Sequence, residues 1–318
     1  MPRLWLLTCL GLIIALSVVS IFVGVIALSP LDLFQDPEAL QLLAVSRLPR
    51  TAAAVLTGCS MAVSGQIMQI LVRNKFVEPI SAGIGQAAAL GILLAVLLFP
   101  AAGLAIKMSL AAATALLGTM GFLALVQRLP PTEPLLVPLV GLVYGGILGA
   151  VMVFIAYQAD LLQYVDVWML GEFSGVMRGR YELLWIAGIA ALVSYLIADQ
   201  FAILGLGRDM SLSLGLNHRQ VMALGLLCVS VVSALTVVTV GMLPFIGLVV
   251  PNLISRRLGD NLRVTLPVTA LLGGVFVLAC DILARVIRHP YEVPVGTVFG
   301  VLGTAAFLWL IYARPRHA

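Results

Sequence analysis

The chain has 318 residues, of which 62% are hydrophobic and only 10% are charged, against roughly 25% charged residues in soluble domains. That balance excludes a water-soluble globule. A diffuse net charge of +4, with no basic run and few aromatics to stack bases, excludes a nucleic-acid surface. The expectation is an all-α polytopic membrane protein, one transmembrane domain over residues 1–318.

In chain order, Arg3 precedes an apolar run from Leu4 to Leu28. A signal peptide carries about 7–15 apolar residues before its cleavage site, so this longer run is read as a retained first span. A crossing helix needs about 20 apolar residues. Runs of that order follow at 51–72, 80–99, 104–126, 135–157, 183–198, 221–241, 264–284 and 294–312. Segment 243–255 is short and broken by Pro244 and Pro251. If it crosses, there are ten spans with both termini cytoplasmic. The inside then holds 11 of the 18 Lys and Arg: Arg3, Arg73, Lys75, Arg128, Arg208, Arg219, Arg256, Arg257, Arg263, Arg314 and Arg316. Glu78, Glu133, Asp199, Asp209 and Asp260 join them, and the other acids fall outside. If it does not cross, the basic split reverses to 8 inside and 10 outside. The positive-inside rule favours ten spans. A helix broken by proline survives in lipid where other protein or a cavity covers its freed backbone groups.

Gly141/Gly145/Gly149 and Gly296/Gly300 have small-xxx-small spacing, which suits close helix approach within the chain, a dimer seam or a pathway wall. Cys9, Cys59, Cys228 and Cys280 sit in apolar segments without CxxC spacing and read as packing residues. His218, His289 and His317 show no ligand spacing. No GxxxxGK[ST] loop is present, so the chain does not bind ATP in the usual way. HExxH and GxSxG are also absent, which disfavours a membrane enzyme. A stand-alone secondary transporter would use intramembrane acids and often inverted repeats; spans two to seven carry almost no buried acid, and no repeat is visible.

Three polar regions carry chemistry. Arg47-Leu48-Pro49-Arg50 lies at the outer start of the second span, where the two arginines could snorkel to lipid phosphates or grip carboxylates through their fork geometry. Segment 199–220 is the longest non-spanning stretch on the inner side. Leu204, Leu206, Leu212, Leu214 and Leu216 would be exposed there if it merely turned in water, which argues for a protein partner; a helix lying at the lipid interface is the alternative. Asp281 precedes Arg285 by four residues, a spacing that places a local ion pair on one helix face. Arg288 and Glu292 lie close by in sequence.

Several motifs resemble the permease subunits of ABC importers for iron-siderophores, haem and vitamin B12. The family's GPIxFxGLxxPH has its counterpart in Pro244–Asn252, LLPxSALxGA in Leu266–Gly274, and ADxxARxxxxPxELPVG in Cys280–Arg285 running on to Glu292–Gly296. RLPR is shared, and Ser64–Gln69 with Arg73–Pro79 resembles SGxxxQxxxRNPLAxP. Two departures stand out: Lys75-Phe76-Val77-Glu78 replaces PLAx, and Asn252 replaces the usual His.

The resemblance implies a ten-span permease that imports a ferric-siderophore across a bacterial cytoplasmic (inner) membrane by alternating access; haem or vitamin B12 is the alternative cargo. It implies a second permease subunit, identical or not, two separate ATP-binding subunits and an extracytoplasmic binding protein. It assigns docking of that protein to Arg47, Arg50 and Arg285, with Arg288 outside the motif. It assigns ATPase coupling to Leu204, Gly205, Leu206, Gly207, Arg208, Asp209, Leu214, Gly215 and Leu216. The fifth and tenth spans would line the pathway. Iron would travel inside its own chelate, so no cofactor or protein metal site is expected.

Overall fold

The computed structural model describes residues 2–24, 36–80, 82–129 and 136–312. Residues 25–28 of the first apolar run, Glu133, Arg314 and Arg316 lie outside them. The main helices are α1 (Pro2–Phe22), α2 (Pro37–Leu71), α3 (Ile84–Leu98), α4 (Leu104–Val126), α5 (Leu136–Gln158) and α6 (Leu162–Met169). There follow α7 (Leu184–Leu196), α8 (Ala198–Gly205), α9 (Arg208–Ser213), α10 (His218–Val240), α11 (Ile246–Leu258), α12 (Leu262–Val286) and α13 (Val295–Tyr312). Each of the ten apolar segments expected from the sequence overlaps one of these helices. Among the described residues seven helices are long and apolar enough to cross a membrane, or eight if α7 and α8, bent by 65° at their junction, are one span. α3 is apolar but shorter, and α11 has 13 residues.

The second helix begins well before the expected Thr51, at Pro37, so the RLPR motif lies inside a helix and not at its start. Pro49 has no N–H and cannot bond the carbonyl four residues back. The chain answers with a π-turn over Leu43–Arg47, in which the Leu48 amide bonds the Leu43 carbonyl. The freed Val45 carbonyl accepts the Arg178 backbone N–H at 3.0 Å.

Helix α11 solves the same problem with side chains. Pro251 orphans the Gly247 carbonyl, and Gln69 Nε2 on α2 donates to it at 3.1 Å. Phe245, at φ 69° just before the helix, has its N–H accepted by Glu78 Oε1 at 3.0 Å. Asn252 Nδ2 donates to the Lys75 carbonyl at 2.7 Å and to the Leu248 carbonyl at 2.8 Å. The short helix is thus covered by protein along its length, as a broken helix in lipid requires.

Helices α2 and α10 form the centre, with 78% and 72% of their apolar windows buried, against 11% for α1 and 22% each for α5 and α13. Lipid is as apolar as leucine, so helices associate there through close packing of small residues. A Cβ on Gly58 would lie 2.4 Å from the Gly273 carbonyl oxygen, and one on Gly65 would lie 2.1 Å from that of Gly247. Backbone therefore meets backbone where α2 crosses α12 and α11. The other glycine pairs divide. Gly145 packs on Gly83 and Gly296 on Gly171, both within the chain, while Gly300 has open space around it.

Gly65→Ala is expected to lower the stability of the purified protein by about 1–3 kcal/mol, the usual cost of overpacking, because neither backbone can move aside. Gly146→Ala, where a Cβ meets nothing within 4 Å, is expected to leave it unchanged. Thermal unfolding in detergent distinguishes the two.

Candidate functional sites at the two ends of the bundle

At one end, α1, α2 and α12 converge on a charge cluster. Asp281 is fully buried on α12. It accepts Arg50 Nε at 3.1 Å and Nη2 at 2.8 Å, and Arg285 Nη2, one turn along, at 2.5 Å. Arg50 Nη1 reaches both oxygens of Glu292 at 3.0 and 2.9 Å. Arg285 Nη1 donates to the carbonyls of Ser20 (2.8 Å) and Val23 (2.6 Å), and its Nη2 to Ser20 Oγ at 2.6 Å. Arg47 Nη1 also reaches the Val23 carbonyl, at 2.8 Å. The last carbonyls of a helix have no donor within it, and cations suit that negative end. The arginines therefore cap α1 while tying it to α2 and α12.

All three residues expected to dock a partner are in this cluster, but they are turned inward. Arg47 and Arg50 are each 7% exposed and Arg285 is 2% exposed. Asp281 makes the i,i+4 pair expected of it and a second pair with Arg50, which the spacing alone could not show. Three arginines face two carboxylates, so the cluster keeps net positive charge. Its most open member is Glu292, with a side chain 22% exposed; exposed Arg288 lies outside it, with its guanidinium over the Tyr291 ring.

At the other end, α8 and α9 carry the second set of candidates. Leu206, Met210, Leu212 and Leu214 are exposed. Leu204, which a simple turn in water would have left exposed, is buried, and Leu216 is half-buried against the same core. The bend into α8 turns Leu204 back onto the bundle. Gly207 and Gly215 adopt φ of 112° and 77°, values that other residues reach only with strain. Arg208 and Asp209 are exposed on the first turn of α9.

Near this end, Lys75 pairs with Asp260 at 3.0 Å, and Ser255 bonds the same carboxylate. Burial pushes the Asp260 carboxyl up, but the Ser255 hydroxyl and the Lys75 ammonium outweigh it and hold the group below its ordinary value. These contacts were missed in the sequence, although a signal was present. The two departures from the family motifs, Lys75–Glu78 and Asn252, touch each other through the Asn252–Lys75 bond. Among the described residues no group of three or more His, Cys, Asp or Glu could hold a metal ion.

Long apolar helices around a protein-covered, proline-broken short helix, with an inward-facing charge cluster at one end and an exposed leucine face at the other, define a multi-pass membrane permease. The chain matches the FecCD transport family over residues 12–313 and belongs to it, a family of ABC transporter permease subunits. It is 45% identical to the petrobactin import system permease protein YclN of Bacillus subtilis, over 96% of this chain and 98% of that one. It is 39% identical to the ferric-anguibactin transport system permease protein FatD of Vibrio anguillarum, over 92% and 94%. Among solved structures, an inward-facing metal-chelate type ABC transporter shares the fold with a TM-score of 0.85 at 22% identity, over 99% of this chain and all of that one.

Removing one member of a buried ion cluster leaves the others unpaired, at a cost of about 3–5 kcal/mol. Asp281→Ala is therefore expected to destabilise the protein by that order, read as loss of folded protein in thermal unfolding. Arg288→Ala, outside the cluster, is expected to change little.

Proposed function

We propose that the chain is the permease subunit of an ATP-driven importer that carries a ferric-siderophore across a bacterial cytoplasmic membrane by alternating access. The observation that carries this reading is the near full-length similarity to permeases named for petrobactin and ferric-anguibactin. A single domain of ten spans, α11 among them, has both termini in the cytoplasm. The protein cover on α11 and the positive-inside balance support that topology. Two permease subunits, identical or not, enclose the pathway. The largely uncovered α5 and α13 are the surfaces available for this.

On the cytoplasmic side, residues Leu204–Asp209 and Leu214–Leu216 engage a separate ATP-binding subunit. The exposed leucines of α9 and its flanks, unusual for a solvent-facing turn, support this. On the outer side, an extracytoplasmic binding protein docks at the Arg47, Arg50 and Arg285 end. Because these guanidiniums are buried, its carboxylates reach Arg50 by exchange with Glu292, the more open of the two cluster acids.

The test is reconstitution of the full importer in proteoliposomes. Uptake of the iron chelate is expected to need both ATP and the binding protein. Asp209→Lys is expected to weaken the ATP-binding subunit's hold roughly fivefold, about 1 kcal/mol at an interface, and to lower uptake with it. Uptake that persists without ATP would overturn the reading. For docking, Glu292→Gln frees Arg50 of its second partner and is expected to tighten the binding protein's affinity roughly two- to fivefold, the scale of a partly exposed ion pair. Titration of the binding protein onto the reconstituted permease measures this, and unchanged affinity would exclude the exchange.

A further inference from the structure

A cleft of about 310 Å³ opens among the ends of α2, α4, α8 and α10, beside the exposed leucine face. Arg73, Arg208 and His218 line it, together with apolar groups such as Leu123, Val126 and Met222. Among the described residues no carboxylate lines it, and neither Arg73 nor Arg208 has an ion-pair or hydrogen-bond partner for its guanidinium.

The positions of these groups are built. Arg73 adopts φ 53° just past the end of α2, where glycine is the usual residue and an L side chain costs about 1–2 kcal/mol. Its guanidinium lies against Gly207, where a Cβ would come within 2.1 Å of Nη2. Glycine at 207 therefore makes room for the arginine. Ser211 Oγ donates to the Arg208 carbonyl at 2.9 Å and meets His218 Nδ1 at 2.8 Å. With the hydroxyl proton committed to the carbonyl, Nδ1 is the donor to Ser211, and Nε2 of the neutral ring is left as an acceptor for a headgroup hydroxyl and not for the phosphate itself.

We propose that this cleft holds the phosphate headgroup of an anionic phospholipid, with its acyl chains running along the apolar helix ends. Three features favour that occupant. Uncompensated arginines beside the ends of spanning helices match the basic pockets that recognise anionic headgroups. The walls are aliphatic, as acyl chains require. Among the described residues no Phe, Tyr or Trp lines the cleft, so a nucleotide base would have nothing to stack on. In the orientation proposed above the lipid belongs to the cytoplasmic leaflet. Binding itself does not depend on that orientation, so the two readings fail separately.

The experiment is native mass spectrometry of the full chain in a neutral detergent, titrated with phosphatidylglycerol, with phosphatidylcholine, and with inorganic phosphate. The wild type is expected to retain phosphatidylglycerol in preference to phosphatidylcholine, with inorganic phosphate a weak competitor. Each arginine near an anionic headgroup is worth about a factor of five, so Arg73→Gln with Arg208→Gln should reduce that preference about twenty-five-fold. Arg73→Lys with Arg208→Lys should keep most of it. Phosphatidylcholine affinity, unchanged throughout, serves as the control for folding. Equal retention of the two lipids by the wild type would overturn the proposal. So would complete displacement by inorganic phosphate, which would make the ligand a free anion. A preference that emerges only on adding Glu133→Gln would overturn it too, by showing that the chain's own acid fills the cleft. Arg208 also lies in the segment that engages the ATP-binding subunit, so the lipid is proposed for the permease on its own, and the preference is expected to fall when that subunit is added.

Discussion

Hydrocarbon offers no hydrogen bonds, so every break in a membrane helix has to be repaired from within the protein. The architecture follows from where those repairs fall. Pro49 frees the Val45 carbonyl, and the backbone of Arg178 answers it from more than a hundred residues away. Pro251 frees Gly247, and Gln69 answers it from α2. The end of α1 leaves the Ser20 and Val23 carbonyls bare, and Arg285 answers them from α12. Each repair joins segments that are distant in sequence. In a solvent that does not drive apolar helices together, such bonds supply direction that packing alone lacks.

The charge cluster is the costliest of these repairs. Two arginines buried beside one fully buried aspartate would be untenable singly. They are tolerable together because Asp281 accepts from both, Glu292 shares Arg50, and helix carbonyls take the remaining donors of Arg285. The cluster is also the point where α1, the least buried of the spanning helices among the described residues, is fastened to the core. A partner that competes for Arg50 therefore acts on a residue that already holds three elements in register. Burial of these arginines is compatible with a docking role only through exchange, which makes Glu292 and not the arginines the group nearest to an incoming carboxylate.

Much of this was legible in the sequence. The ten apolar segments marked the helices, because in membranes apolar length alone decides where a helix can lie. The motifs marked both ends, and Asp281–Arg285 could be paired from their spacing. The rest depended on tertiary contacts. The apolar run begins the second span at Thr51, and the start of α2 at Pro37 becomes clear only once Arg178 is seen to satisfy the π-turn. The inward turn of Arg47 and Arg50 depends on α12 and α1, and the burial of Leu204 depends on the bend after α7. Neither is encoded in the residues beside them.

Lys75–Glu78 and Asn252 looked in the sequence like two separate departures from a pattern. In the structure they form one interface along α11. Glu78 holds its start through Phe245, Asn252 ties its middle to the Lys75 carbonyl, and Lys75 reaches Asp260 beyond its end. The loop that carries Lys75 and Glu78 begins at Arg73, whose guanidinium rests on Gly207 at the start of α9. Contacts therefore run without a gap from the exposed leucine face, through this loop, to the first residue of the broken helix. A glutamate and a lysine on one loop grip the two ends of α11. The helix itself, 13 residues bonded along its length, has no internal hinge except Pro251, and Gln69 already closes that gap.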